Sequence, residues 1–158
     1  MKEVTINKQA RLSQHFTLGE LCKTSVKTAD GNIPSHVHIE NLKRLCGWLE
    51  KLRDEWNRRY GEGDDPIIIN SGYRSEAVNK AVGGAPNSNH LTGCAVDIRC
   101  YGIEQALRYA TTLLDISDES KEEFDELLIE KSSKSIWVHF AVRPKDNRRR
   151  VEFLRTSR

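Results

Sequence analysis

Apolar residues recur at helical spacing over residues 36–60, where Ile39, Leu42, Leu45, Leu49, Leu52 and Trp56 form one stripe. Lys43, Arg44, Glu50, Lys51 and Asp54 occupy the other faces. This stripe predicts the principal helix of the fold, started by Pro34-Ser35 and ended by the Gly- and Asp-rich break at 61–66, with Trp48 and Trp56 as packing residues. His36 and His38 sit at its entrance on different faces, which suits surface or capping histidines. A short helix is expected after Thr17, the N-cap of a capping box completed by Glu20, with Phe16 and Leu21 as the hydrophobic staple. Another short helix is expected over 76–81 and an amphipathic one over 103–114, followed by a polar connection at 115–121. The β-branched run 67–71 and the segment 124–130 read as strands. Residues 131–135 then form a hairpin loop into a strand that alternates Ile136, Val138, Phe140 and Val142 inward and sets His139 on the opposite face, with Pro144 ending it. These elements give an α+β domain, a small antiparallel sheet flanked by helices.

One short strand departs from the pattern. In Cys94-Ala95-Val96-Asp97-Ile98-Arg99, Val96 and Ile98 point to a core, and Asp97 points the other way, toward a cleft or solvent. His90 lies seven residues before it, and Gly93 supplies the backbone freedom to fold the chain back between them. His139, on the polar face of its own strand, is the third member. Two imidazoles and one carboxylate converging at one point would suit Zn2+, with a fourth position open as in catalytic sites.

The residues around this trio resemble a known family. Ser-Gly-Tyr-Arg-Ser at 71–75, Asn79, Gly83-Gly84, Ser-x-His-x-x-Gly-x-Ala-x-Asp at 88–97 and Trp-x-His at 137–139 are similar to the zinc D-Ala-D-Ala carboxypeptidase and murein peptidase family. The resemblance runs from about Phe16 to Arg150 and is nearest to the short single-domain forms of phages and prophages, with a more distant likeness to the hedgehog signalling domain. It implies a zinc peptidase acting on peptidoglycan stem peptides, with His90, Asp97 and His139 as metal ligands, Arg74 steadying the substrate carbonyl in the transition state and Ser88 hydrogen-bonding substrate. Trp137 either lines the substrate groove or packs.

The family pattern places a Glu or Asp three residues before the last histidine, a position held here by Ile136, which has no acid–base chemistry. Glu130, at the end of the preceding strand, is the first candidate to replace it, because a hairpin brings it back beside Trp137 and His139. Glu126, of the same parity, is second, Asp125 is third, and a merely solvated Glu130 is the bland alternative.

Composition narrows the picture further. With 158 residues, 30% charged and 37% hydrophobic, the chain reads as a single domain over 1–158, with an N-terminal extension at 1–15 and a basic tail at 145–158. A formal charge of +2 without aromatic residues among Arg148, Arg149 and Arg150 excludes a nucleic-acid partner, and that cluster reads as solvated. No run of apolar residues is long enough for a membrane span, and residues 1–10 lack the apolar stretch of a signal peptide, so delivery to the bacterial wall from the cytoplasm is expected through release or a phage-encoded route. Cys22, Cys46, Cys94 and Cys100 have no metal spacing and read as reduced packing residues of a monomer. Carboxypeptidase and endopeptidase action both remain open. So do a metal-stabilised wall- or protein-binding module and a phage structural protein of the same fold.

Overall fold

A computed structural model describes residues 5–156; of the expected end segments, 1–4 and 157–158 lie outside it. Ten elements follow one another: helix α1 (Leu18–Leu21), helix α2 (His36–Arg59), strand β1 (Ile69–Ser71), helix α3 (Glu76–Ala81), a 3-10 turn (Asn89–Thr92), strand β2 (Ala95–Arg99), helix α4 (Ile103–Ser120) and strands β3 (Glu126–Lys131), β4 (Ile136–Ala141) and β5 (Arg150–Arg155). The strands form one sheet in the order β1-β2-β4-β3-β5.

Strand alternation divides this sheet into two faces. On one, Val96, Ile98, Leu127, Ile129, Val138 and Phe140 join the core beneath α2 and α4, where the Trp48 and Phe140 rings meet at 5.2 Å between centroids. The other face carries Asp97, His139, Glu126 and Glu130, all buried. An apolar face packed on helices thus fixes the register that sets four ionisable side chains together, since a one-residue slip would exchange the faces.

The capping residues behave as their types dictate. Thr17 and Glu20 form the capping box of α1, and His38 accepts from Ser35 N at 3.2 Å at the start of α2, so His38 caps a helix rather than ligates. Residues 8–15 are not a loose extension: Gly19 N donates to Lys8 O at 2.9 Å, and Ser13 and His15 hold the Glu50 carboxylate of α2 at 2.5 to 2.7 Å.

Three sequence expectations are corrected. Helix α4 runs six residues past Leu114, because Ile116 continues the buried stripe of Ala106, Tyr109 and Leu113 into the segment expected to be a polar connection. The sheet is mixed, since β5 runs parallel to β3. Consequently the basic tail does not trail free: residues 150–155 pair with β3 and Arg148 is bound to Asp125, although their side chains stay half-exposed or exposed. β4 has neighbours on both sides, leaving the free edge of β3 to receive the chain, and the end of β4 lies at the same end of the sheet as the start of β3, so the connection at 142–149 need only step across.

Candidate metal centre

The register of the sheet places Asp97 of β2 directly opposite His139 of β4. Opposed residues on one face of an antiparallel pair bring their side chains together, and His139 Nδ1 lies 3.1 Å from Asp97 Oδ1. His90 arrives by a different route. The 3-10 turn is started by Ser88, whose Oγ accepts from His90 N at 3.1 Å, and is closed by Gly93 at φ +75°, where an added Cβ would stand 2.6 Å from His38 O. That left-handed, tightly packed position accepts glycine alone without strain. His90 Nε2 thereby reaches 3.2 Å from the same Asp97 Oδ1.

One ligand atom from each of the three residues lies within 4.8 Å of the others, and all three residues are buried. The outward nitrogens fix which atoms turn inward. His90 Nδ1 donates to Gly72 O at 2.7 Å, leaving Nε2 for the centre, and His139 Nε2 donates to Glu126 Oε1 at 3.1 Å, leaving Nδ1. Partners of this kind on the far nitrogen set the tautomer and orientation of metal-binding histidines. Two neutral nitrogens and one carboxylate oxygen suit a borderline divalent ion, and so the residues fit zinc.

Burial and charge oppose each other here. Burial pushes the His90 imidazole down, with Asp97 only partly offsetting it. At His139 burial acts in the same sense, but the hydrogen bonds to Asp97 and Glu126 prevail and push the imidazole up to about 10. Asp97 is held well below the usual carboxylate range because both histidines outweigh its desolvation. Desolvation is likewise overcome at Glu126, by His139 and Asn89, which bring it to about 2. A cluster of carboxylates that gathers a cation to itself is the electrostatic setting in which a metal is favoured.

The centre opens into a cleft of ≈ 230 Å³ whose walls include Arg74, Ser88, His90, Glu126, Glu130 and His139. Arg74, on the turn after β1, is buried and donates from Nη2 to Asp97 Oδ2 at 3.1 Å, from Nη1 to Asn79 Oδ1 at 3.3 Å and from Nε to Ser71 Oγ at 3.0 Å. Glu130 stands opposite Trp137 in the β3–β4 pair and lines the cleft, as does Glu126. Trp137 stands opposite Arg99 and Glu130 in the register, on the same face of the sheet as His139. Asp125, third in line as a base, is fully buried and held by Arg148 (Nε–Oδ1 3.0 Å, Nη2–Oδ2 2.8 Å) and Asn89 (2.8 Å), an arrangement that fixes a loop rather than moving protons.

Sequence reasoning missed Asn89, Arg143, Arg148 and Arg150 as parts of this site. Asn89 gives both amide hydrogens, to Asp125 and Glu126, and all three arginines border the cleft. The available signal was charge: an Arg-rich segment at 143–150 has to meet acidic residues somewhere, and Asp125-Glu126 begins the strand next to it.

Gly72 provides a test of the scaffold behind His90. A Cβ there would meet Leu21 O at 2.2 Å, while the Gly72 carbonyl holds the His90 ring. Gly72→Ala is expected to cost about 1–3 kcal/mol in stability and to weaken metal binding about 10- to 100-fold by turning the ring; chemical denaturation and metal titration measure the two effects.

Comparison with known proteins agrees with this geometry. A model of the family described as peptidase M15 matches residues 14–139, which include all three candidate ligands. The zinc D-Ala-D-Ala carboxypeptidase of Streptomyces albus G is 50% identical over 84 residues, 53% of this chain and 31% of that protein. The match thus spans about a third of the length of that relative. The chain belongs to the peptidase M15 family.

Proposed function

We propose that this chain is a zinc peptidase that hydrolyses an amide bond in peptidoglycan stem peptides, with His90, Asp97 and His139 holding the ion. The observation that carries the reading is the meeting of three ligand atoms within 4.8 Å at the floor of a cleft that also contains an arginine and a second carboxylate. Zinc with three protein ligands supplies Lewis acidity for activating water and polarising a carbonyl.

The chain's own residues supply the rest. Glu130 takes a proton from the attacking water and returns it to the nitrogen of the leaving amine as the C–N bond breaks, so one carboxylate serves both steps. Glu126 holds the His139 ring through Nε2, which makes it a positioning residue. The Arg74 guanidinium, anchored by Ser71, Asn79 and Asp97, faces the negative charge that develops on the carbonyl oxygen. Ser88, at the lip of the cleft, is placed to hydrogen-bond the substrate backbone. Trp137, opposite Glu130 in the β3–β4 pair, flanks that side chain on the His139 face of the sheet.

The test is digestion of defined muropeptides by protein loaded with one zinc per chain, with new termini identified by mass spectrometry. Release of D-alanine identifies a carboxypeptidase and release of internal fragments an endopeptidase. Unchanged muropeptides, with zinc bound, would leave a binding module and refute hydrolysis.

A further inference from the structure

Arg74, Arg143, Arg148 and Arg150 all line the cleft. Three of them are heavily engaged. Arg74 donates through Nε, Nη1 and Nη2 to Ser71, Asn79 and Asp97. Arg148 grips the Asp125 carboxylate with two parallel hydrogen bonds, and Arg150 does the same to Glu152 while reaching Glu126 Oε2 with Nη1 at 3.2 Å.

Arg143 differs. Its Nε donates to Asn89 Oδ1 at 3.0 Å and lies 3.2 Å from Asp125 Oδ2, while its two Nη atoms make no hydrogen bond among the described residues. The side chain is 33% exposed, against 7% for Arg74. Its base is nonetheless fixed, because Asn147 accepts from Arg143 N at 2.8 Å and donates to Arg143 O at 3.0 Å. The inner end is fixed by Asn89, which also links Asp125 and Glu126. A guanidinium anchored at Nε, with both NH2 groups uncommitted on the wall of a cleft, is a preorganised fork for a carboxylate.

We propose that Arg143 is the receptor for a carboxylate of the substrate and makes the enzyme prefer stem peptides that carry one near the scissile bond. This rests on the peptidase reading above and names the substrate feature the site selects. Asn89 joins the receptor to the metal centre: it is the residue before His90 and bonds both Arg143 and Glu126. The carboxylate therefore binds at the Asn89–His90 part of the cleft wall. Two sources share this chemistry, the C-terminal carboxylate of the peptide and a side-chain carboxylate on one of its residues.

Calorimetry on the zinc-loaded Glu130→Gln protein tests this without turnover. The probes are an acyl-Lys-D-Ala-D-Ala peptide, its C-terminal amide, and an amidated peptide with a free side-chain carboxylate. One carboxylate-bearing probe is expected to bind about 10- to 100-fold more tightly than the uncharged amide, and which one it is identifies the source. Adding Arg143→Gln should erase that preference while leaving zinc content and binding of the uncharged amide unchanged. Arg143→Lys, which keeps the charge beside Asp125 and loses the fork, should retain only part of it and serves if the glutamine variant fails to fold. A preference that survives Arg143→Gln undiminished, equal binding of all three probes by the parent protein, or binding of none overturns the assignment. An Arg143-dependent preference in a protein that, with Glu130 intact, cleaves none of these peptides would refute hydrolysis and uphold the carboxylate receptor.

Discussion

Replacing His90 or His139 with alanine is expected to take bound zinc from about one ion per chain to none at micromolar metal, and hydrolysis to background with it. The three ligand atoms come from a 3-10 turn and two paired strands, so no pair of them forms a chelate of its own. Asp97 demands a different substitution. It receives Arg74 Nη2 at 3.1 Å in a buried pair, and removing it outright leaves that guanidinium uncompensated, at a cost of about 3–5 kcal/mol. Asp97→Asn keeps the shape and removes the charge, so it should lose zinc with less damage to the fold than Asp97→Ala. Metal content by atomic emission and stability by denaturant titration, on the same preparations, separate these effects. A His90→Ala protein that retained one tightly held zinc and full hydrolysis would exclude this trio as the metal site.

The parts of this site that were legible in the sequence are those governed by local alternation. Val96/Asp97/Ile98 and Val138/His139/Phe140 each place one polar residue between two core residues, and the structure pairs Asp97 with His139 on the face so defined. Gly93 announced the turn that returns His90 to Asp97. Pairings between distant segments were not legible, because alternation assigns a face to a residue but no neighbour to a strand. Residues 150–155 run Arg, Val, Glu, Phe, Leu and Arg, with the alternation broken at Phe153-Leu154, and it is the vacant edge of β3 that gives them a partner. Arg148 looked solvated for the same reason, since its counter-ion Asp125 lies 23 residues away and becomes its neighbour through that strand pairing. The extension of α4 failed for a local reason: Asp115, Asp118, Glu119 and Ser120 are polar, and one buried isoleucine, Ile116, holds the turn to the core. Ile136, where the family pattern carries an acid, turned attention to β3, and there parity alone left Glu126 and Glu130 equivalent.

Substitution of those two glutamates separates their roles. Glu130→Gln is expected to lower turnover about 10²- to 10⁴-fold, the usual contribution of a positioned general base, with zinc content and stability unchanged. Glutamine keeps the volume and the hydrogen-bonding shape of the side chain but cannot accept the proton. Glu126→Gln is expected to do the reverse: zinc affinity falls about 10- to 100-fold, and turnover returns when zinc is raised to saturation. The reason lies in what surrounds each carboxylate. Glu126 accepts from Asn89 Nδ2 at 2.7 Å, His139 Nε2 at 3.1 Å and Arg150 Nη1 at 3.2 Å, so its lone pairs are committed to holding the ring and the β5 edge. A carboxylate stabilised by three donors gives up hydrogen bonds in order to take a proton, which raises the barrier it would have to lower. Glu130 lies four residues further along the strand, across from Trp137, where its side chain borders the cleft. Single-turnover rates at saturating zinc for both variants decide the assignment: loss in Glu126→Gln with retention in Glu130→Gln would move the proton transfer to the carboxylate on His139.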